Sequence, residues 1–209
     1  MFEKFKEELG NGNIAKVKEH VEFFIKEAIS PKEILDNGLI AGMDVIGDKF
    51  KKNEVFIPEV MIAAKAMQAG LDILQPHLAK SGIKPVGKVV VGTVKGDLHD
   101  IGKNIVGMMF KGAGFQVIDL GIDVSPKAFI DSVTRENMDI LAMSSLVTTS
   151  MPSMGEVIEL LKAENLNTKI RTMVGGAPVT QAFADKIGAD GYAEDASSAV
   201  GKARELLGI

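Results

Sequence analysis

The sequence predicts an α/β protein in two parts, a helical N-terminal domain over residues 1–80 and a C-terminal domain built on a parallel sheet over residues 81–209. Three observations predict it. Apolar residues recur at helical spacing as far as Leu78, and beyond Gly87 short apolar runs alternate with helical stretches. Between the two regimes lies Ala79–Gly87, which carries Ser, Pro and two glycines and reads as a linker.

In the first part, Ile14, Val17, Val21, Phe24, Ile25 and Ala28 fall at three- and four-residue steps with Lys and Glu between them, the pattern of an amphipathic helix. Ser30-Pro31 reads as an N-cap followed by proline at the first helical position, with Glu33 in the first turn. The helix it opens carries Ile34, Leu35, Leu39, Ile40, Met43, Val45 and Ile46 and ends near Phe50-Lys51-Lys52-Asn53. Pro58 opens another helix, Val60 through Leu78, which Pro76 is expected to bend or end in its last turn. With Phe2–Leu9 these make four helices joined by short loops, and a four-helix bundle is their natural packing.

In the second part, Val89–Val91, Val117-Ile118, Ile140–Met143, Ile170–Val174 and Gly191–Ala193 read as five short strands. Helical stretches lie around Ile101–Phe110, Pro126–Glu136, Met154–Ala163, Val179–Ile187 and Ser197–Leu207. Strict alternation implies a parallel sheet covered on both faces, a Rossmann-like domain of the flavodoxin type with strand order 2-1-3-4-5. In that order a ligand sits beyond the strand C-termini, at the switch between strands 1 and 3.

Bulk properties narrow the function. A net charge of −4 with interspersed signs leaves no basic footprint for nucleic acid. No apolar run approaches the roughly 20 residues of a membrane span, and the charged start Met1–Glu8 lacks the apolar core of a signal peptide, so a cytoplasmic protein is expected. Cysteine is absent, which removes disulfides and thiolate metal sites. Eleven methionines, with no tryptophan and one tyrosine, favour aliphatic, adaptable contacts over aromatic cages.

The chemistry concentrates at the predicted sheet edge. Asp97-Leu98-His99-Asp100-Ile101-Gly102 follows strand 1, Ser144-Ser145-Leu146 follows strand 3 and Gly175-Gly176 follows strand 4. Forty-one residues separate Gly102 from Ser144, and twenty-eight separate Leu146 from Gly175. Neutral imidazole is a good donor to a transition metal, and a carboxylate two residues upstream suits the outer ring N–H, which fixes the tautomer and raises ligand basicity. Ser150 is placed to bond that carboxylate in turn, or to cap the following helix, as is Ser153 with Glu156 in the first turn. Ser144 through Ser150 holds five hydroxyls in seven residues, a line of donors that a polar ligand could meet. Gly92, Gly96 and Gly102 surround the strand 1 loop but match neither a dinucleotide fingerprint nor a P-loop. His20 and His77 sit on helices with ordinary surroundings and receive no function.

In this order and spacing, D-x-H-x-x-G, S-x-L and G-G resemble the binding signature of cobalamin-dependent methyl-transfer proteins. Thr93–Gly107 is similar to the signature loop of the cobalamin-binding region of methionine synthase, and of small corrinoid proteins in methylotrophic methyltransferase systems. Gly42–Asp48 and Phe56–Val60 resemble the helical domain that caps the corrin face in that family. The resemblance implies cobalamin or a related corrinoid as cofactor, cycling between methylcobalamin and cob(I)alamin. It implies His99 as lower axial cobalt ligand, and a proton relay from His99 through Asp97 to Ser150. Gly96, Asp100, Ile101 and Gly102 would complete the cofactor loop. Ser144 would bond the base of the nucleotide tail, and Leu146, Gly175, Gly176 and Ala177 would line its slot. Thr148 would touch the corrin, Ala196 would lie near the tail, and Phe50, Ile57 and Val60 would cover the methyl-bearing face. Expected partners are a substrate-specific methyltransferase, a second methyltransferase that passes the methyl group to a pterin or thiol acceptor, and a reductive activase. Alone, the chain is expected to be a carrier subunit and not a complete enzyme.

Two other cobalamin-binding classes remain as alternatives. A cobalamin-binding sensor would carry an added DNA-binding module, for which no residues remain, and a mutase subunit would work with a catalytic barrel. A phosphoacceptor receiver would need an Asp after strand 3, where Met143-Ser144-Ser145-Leu146 supplies none.

Overall fold

The computed structural model describes residues Met1–Ile209 and divides the chain into two compact units. One comprises Met1–Val86 with Met108–Phe115, the other Gly87–Gly107 with Gln116–Ile209. No helix is long and apolar enough to cross a membrane.

The first unit is helical. α1 (Phe2–Gly10) and α2 (Ile14–Lys26) are followed by α3 (Pro31–Glu33), a π-helical segment (Ile34–Ile40), α4 (Ala41–Lys51) and α5 (Ile57–Lys80). Ser30 caps as expected, its hydroxyl accepting the Glu33 N–H at 3.1 Å, with Pro31 in the first turn. At the start of α5 the Glu59 carboxylate accepts the Phe56 N–H at 3.1 Å. Phe5 packs edge-on against Phe24, with ring centroids 5.5 Å apart. The half-buried His20 ring stacks on Phe24, so its role is packing.

Two local expectations change. The helix opened by Pro31 is not uniform, because it widens into π geometry around Gly38. A Cβ at Gly38 would lie 2.5 Å from the Phe5 ring, and the wider turn lets Ile34, Leu35, Leu39 and Ile40 all be buried. Pro76 does not end α5, which runs on to Lys80. Pro76 is exposed, so water can satisfy the carbonyl that loses its partner, while buried Leu74 and Leu78 anchor the helix on either side. Gly70 brings α5 close to α2 and the π segment, since a Cβ there would lie 2.9 Å from Val17 and 3.0 Å from Leu39.

The second unit alternates strand and helix. Its elements are β1 (Lys88–Thr93), α6 (Ile101–Gly112, of which the part from Met108 on belongs to the first unit), β2 (Gln116–Asp119), α7 (Pro126–Glu136), β3 (Ile140–Ser144), α8 (Pro152–Ala163), β4 (Arg171–Gly175), α9 (Gln181–Ile187), β5 (Gly191–Ala193) and α10 (Ala196–Leu207). The sheet has the expected order β2-β1-β3-β4-β5, with every pair parallel. Val89, Val90, Val91, Ile140 and Leu141 are almost fully buried, as strands covered on both faces require. Side-chain caps by Ser125, Thr180 and Asp195 open α7, α9 and α10.

Register then places the site. Thr93 pairs with Ser144, Ser144 with Gly175, and Gly175 with Ala193, so one row of residues ends four strands at the same edge. The loops bearing His99, Leu146 and Gly176 therefore leave from that row. Gly92, one residue before it on β1, faces α7, where a Cβ would lie 2.7 Å from Cζ of the fully buried Phe129. Gly92→Ala should therefore lower stability by about 1–3 kcal/mol through overpacking. Urea denaturation would show this as a lower midpoint with an unchanged slope.

Candidate functional site: the carboxylate and imidazole at the sheet edge

The loop after β1 is built around Asp97. Its carboxylate is buried and accepts four bonds. Oδ1 takes the His99 backbone N–H at 3.0 Å and faces His99 Nδ1 at 2.7 Å. Oδ2 takes the Leu146 N–H at 2.6 Å and the Ser150 hydroxyl at 3.2 Å. Burial alone would push this carboxyl up. The backbone N–H groups of His99 and Leu146, the His99 ring and the Ser150 hydroxyl outweigh burial and hold it well below the usual carboxylate range. Asp97 is therefore an anion. Because an anion only accepts, His99 Nδ1 is the nitrogen that donates to it, and Nε2 is the one left for another partner.

The His99 side chain is 56% exposed while that of Asp97 is 0% exposed, so the ring is held from below and open above. Its carbonyl is held too, accepting the Thr93 hydroxyl at 2.8 Å. Asp123 clamps the loop on the opposite side. Its carboxylate accepts the Gly96 N–H at 2.7 Å and its own N–H donates to the Asp97 carbonyl at 3.0 Å. Gly96 adopts φ +83°, a left-handed conformation that suits glycine. Asp100 precedes α6 and accepts from the Asn104 side chain at 3.1 Å and from the Asn104 N–H at 2.8 Å. In the first turn of α6, Lys103 is buried, with its ammonium donating to Asp119 at the end of β2 and to Asn104.

The loops after β3 and β4 complete the cluster. Ser150 does not cap α8, whose N-cap position falls on Met151 without a side-chain bond, and its hydroxyl serves Asp97. Ser153 does not cap either. Its buried hydroxyl has no hydrogen-bond partner. Ser144 lies in the strand row, half-buried, with its carbonyl accepting the Val94 N–H at 3.0 Å. Ser145 is fully buried and donates its N–H to the Gly175 carbonyl at 3.1 Å. Gly176, at φ +124°, lies so close that a Cβ would overlap the Ser145 carbonyl oxygen. Leu146, Thr148 and Ala177 are exposed on these loops, and Ala196 is buried at the first position of α10. The expected site residues of the sheet unit thus gather around one carboxylate and one row of strand ends. Phe50, half-buried on α4, exposed Ile57 and fully buried Val60 belong to the helical unit and not to this cluster.

Four participants lie outside the expected site residues: Thr93, Ser145, Asp119 and Asp123. Two of them left a signal, Thr93 as the start of the loop Thr93–Gly107 and Ser145 as one of five hydroxyls in the run 144–150. The others act through backbone groups of a distant loop or through a buried lysine, and no spacing rule announces such contacts.

The donor set tests what the site can hold. No three His, Cys, Asp or Glu side chains meet, so a metal here must bring its other donors with it, as a macrocycle does. The two loops also expose apolar side chains, with Leu98 69%, Ile101 67% and Leu146 44% exposed. Gly102 has no left-handed φ, and a Cβ there would meet nothing, so no contact within the chain demands a glycine beside the ring. One outward imidazole nitrogen, exposed apolar side chains on the same loops and a bare Gly102 backbone fit a planar corrinoid.

Comparison with known proteins agrees. The B12 binding domain family matches residues 87–201, and a second family of the same description matches residues 1–75. Dimethylamine corrinoid protein 2 of Methanosarcina mazei is 50% identical over 183 residues, covering 87% of this chain and 86% of that protein. The crystal structure of a cobalamin-binding protein from Desulfitobacterium hafniense DCB-2 superposes with a TM-score of 0.83 at 31% identity, covering 99% of this chain and 98% of that one. A chain of the methanol:cobalamin methyltransferase complex of Methanosarcina barkeri gives a TM-score of 0.84 at 32% identity, covering 98% of this chain and 79% of that one. A buried carboxylate orienting one open imidazole is thus found on a chain that belongs to the B12-binding corrinoid proteins.

Proposed function

We propose that this corrinoid protein carries a methyl group between two methyltransferases, and that His99 is the lower axial ligand to its cobalt. The observation that carries the reading is the Asp97–His99 pair, which holds Nδ1 at 2.7 Å and leaves Nε2 facing the exposed side. A bound corrinoid supplies a cobalt centre that takes up a methyl group and yields it to a nucleophile. The chain supplies orientation and proton control. Asp97 fixes the tautomer and makes the imidazole a better donor. Were the imidazole released, its freed nitrogen would take up a proton from solvent, and the Asp97 carboxylate, held by the Ser150 hydroxyl, would stabilise the resulting imidazolium. Leu98, Ile101 and Leu146 offer apolar support, and the bare backbone at Gly102 permits close approach. Ser144, Leu146, Gly175, Gly176 and Ala177 line the path for the nucleotide tail, with Thr148 beside the ring amides and Ala196 near the tail.

The identity to a dimethylamine corrinoid protein supports a methylated amine as the methyl source, and the methanol complex supports methanol as the second candidate. The same likeness supports a substrate methyltransferase as the loading partner. A second methyltransferase then takes the methyl group to a tetrahydrofolate-type pterin or thiol coenzyme, and a reductive activase restores carrier lost to oxidation.

Two outcomes test this. His99→Gly should convert the absorption spectrum of the methylcobalamin-loaded protein to that of a corrinoid without imidazole, and slow methyl transfer about tenfold or more. An unchanged spectrum and rate would sink the ligand assignment. Asp97→Asn replaces an acceptor oxygen with an amide that faces N–H donors. Corrinoid retention should fall by about 10–100-fold in equilibrium dialysis, and the protein should lose about 1–3 kcal/mol of stability before any cofactor is added.

A further inference from the structure

The relay does not end at Ser150. Ser145 Oγ lies 2.7 Å from Ser150 Oγ, and both hydroxyls are buried. Both also lie near the Val147 carbonyl, Ser150 at 2.9 Å and Ser145 at 3.1 Å. Each hydroxyl has one proton, so these contacts cannot all be made at once, and two arrangements mark the extremes. When Ser145 donates to Ser150, the Ser150 proton is free to go to Asp97 Oδ2, giving an unbroken chain from Ser145 through Ser150 and Asp97 to His99. When Ser145 donates to the Val147 carbonyl, Ser150 can turn its proton to Ser145, and Asp97 loses its only hydroxyl donor.

From this geometry we infer that Ser145 is a positioning residue of the site, a fourth member of the relay that sets how strongly Asp97 pulls on the His99 ring. A hydroxyl that accepts a hydrogen bond becomes a better donor, so Ser145 strengthens the bond from Ser150 to Asp97. That bond draws charge from the carboxylate and moderates its grip on the Nδ1 proton. The imidazole is then a weaker ligand, easier to release. The backbone fixes Ser145 for this task, with its N–H on the Gly175 carbonyl and its own carbonyl against Gly176, where no side chain fits. The G-G pair thereby governs the histidine from two loops away.

The inference rests on His99 being the cobalt ligand, and the test separates the two. Full-length protein is reconstituted with methylcobalamin, and the ratio of imidazole-bound to imidazole-free cofactor is read from the absorption spectrum at fixed pH. In cofactor-free protein, the ¹⁵N shifts of the His99 ring report the strength of its bond to Asp97. Ser145→Ala should raise the bound-to-free ratio by about threefold and move the Nδ1 shift toward a stronger hydrogen bond, while Ser145→Thr, which keeps the hydroxyl, should match the parent in both. Should Ser145→Ala fail to fold, Ser145→Cys carries the test, its weaker donor giving a shift in the same direction. An unchanged or lowered ratio in the hydroxyl-free variant, or Ser145→Thr behaving as Ser145→Ala, overturns the inference. If His99→Gly leaves the spectrum of the loaded protein unaltered, it is the ligand assignment that fails.

Discussion

One buried carboxylate organises this molecule's site. An ionised Asp97 without partners inside the protein would be strongly unfavourable. It persists as an anion because four donors from two loops converge on its two oxygens. The converse holds as well. Since the anion must be satisfied, the loop after β1 and the loop after β3 have little freedom to move apart, and the imidazole between them has one orientation. The direction in which Nε2 points follows from that, and so does the chemistry the site can support.

The sheet makes this convergence possible. Parallel pairing in the order β2-β1-β3-β4-β5 sets β1 beside β3, and the in-register row Thr93, Ser144, Gly175 and Ala193 ends the strands at a common level. Connections at that edge diverge at the switch between β1 and β3, which opens a crevice. Two features then close the structure around the imidazole loop. Asp123 clasps the Gly96–Asp97 backbone from the β2 side, and Gly176 presses against Ser145 from the β4 side. The aspartate works through hydrogen bonds and the glycine through the absence of a side chain. The exposed Leu98 and Ile101 would be poor choices for a surface left in water, and they make sense as a seat for a large flat ligand.

In the helical unit, small residues permit large ones. Gly38 yields to the ring of Phe5 and Gly70 to Val17 and Leu39, so the helices approach closely while the phenylalanines fill the centre. Helical spacing in the sequence located all four helices but gave no hint of the π turn. The extra residue in that turn is stabilised by a ring on another helix, and a periodicity analysis sees only one helix at a time. Pro76 fails to end its helix for a related reason. Its local effect is to interrupt one hydrogen bond, and the buried leucines around it hold the helix regardless.

By itself the sequence determined the strand and helix alternation, the strand order, the edge at which three motifs meet, and the pairing of Asp97 with His99. Those features follow from short-range patterns: apolar period, proline and glycine punctuation, and a carboxylate two residues from an imidazole. Only the tertiary structure decided which hydroxyls Asp97 and Ser150 reach, that Ser145 is buried among them, and that Asp123 and Gly176 shape the loops. It also decided which ring nitrogen of His99 stays free. Each of these depends on backbone groups from separate strands arriving within hydrogen-bond distance, and that proximity exists only after the sheet has assembled.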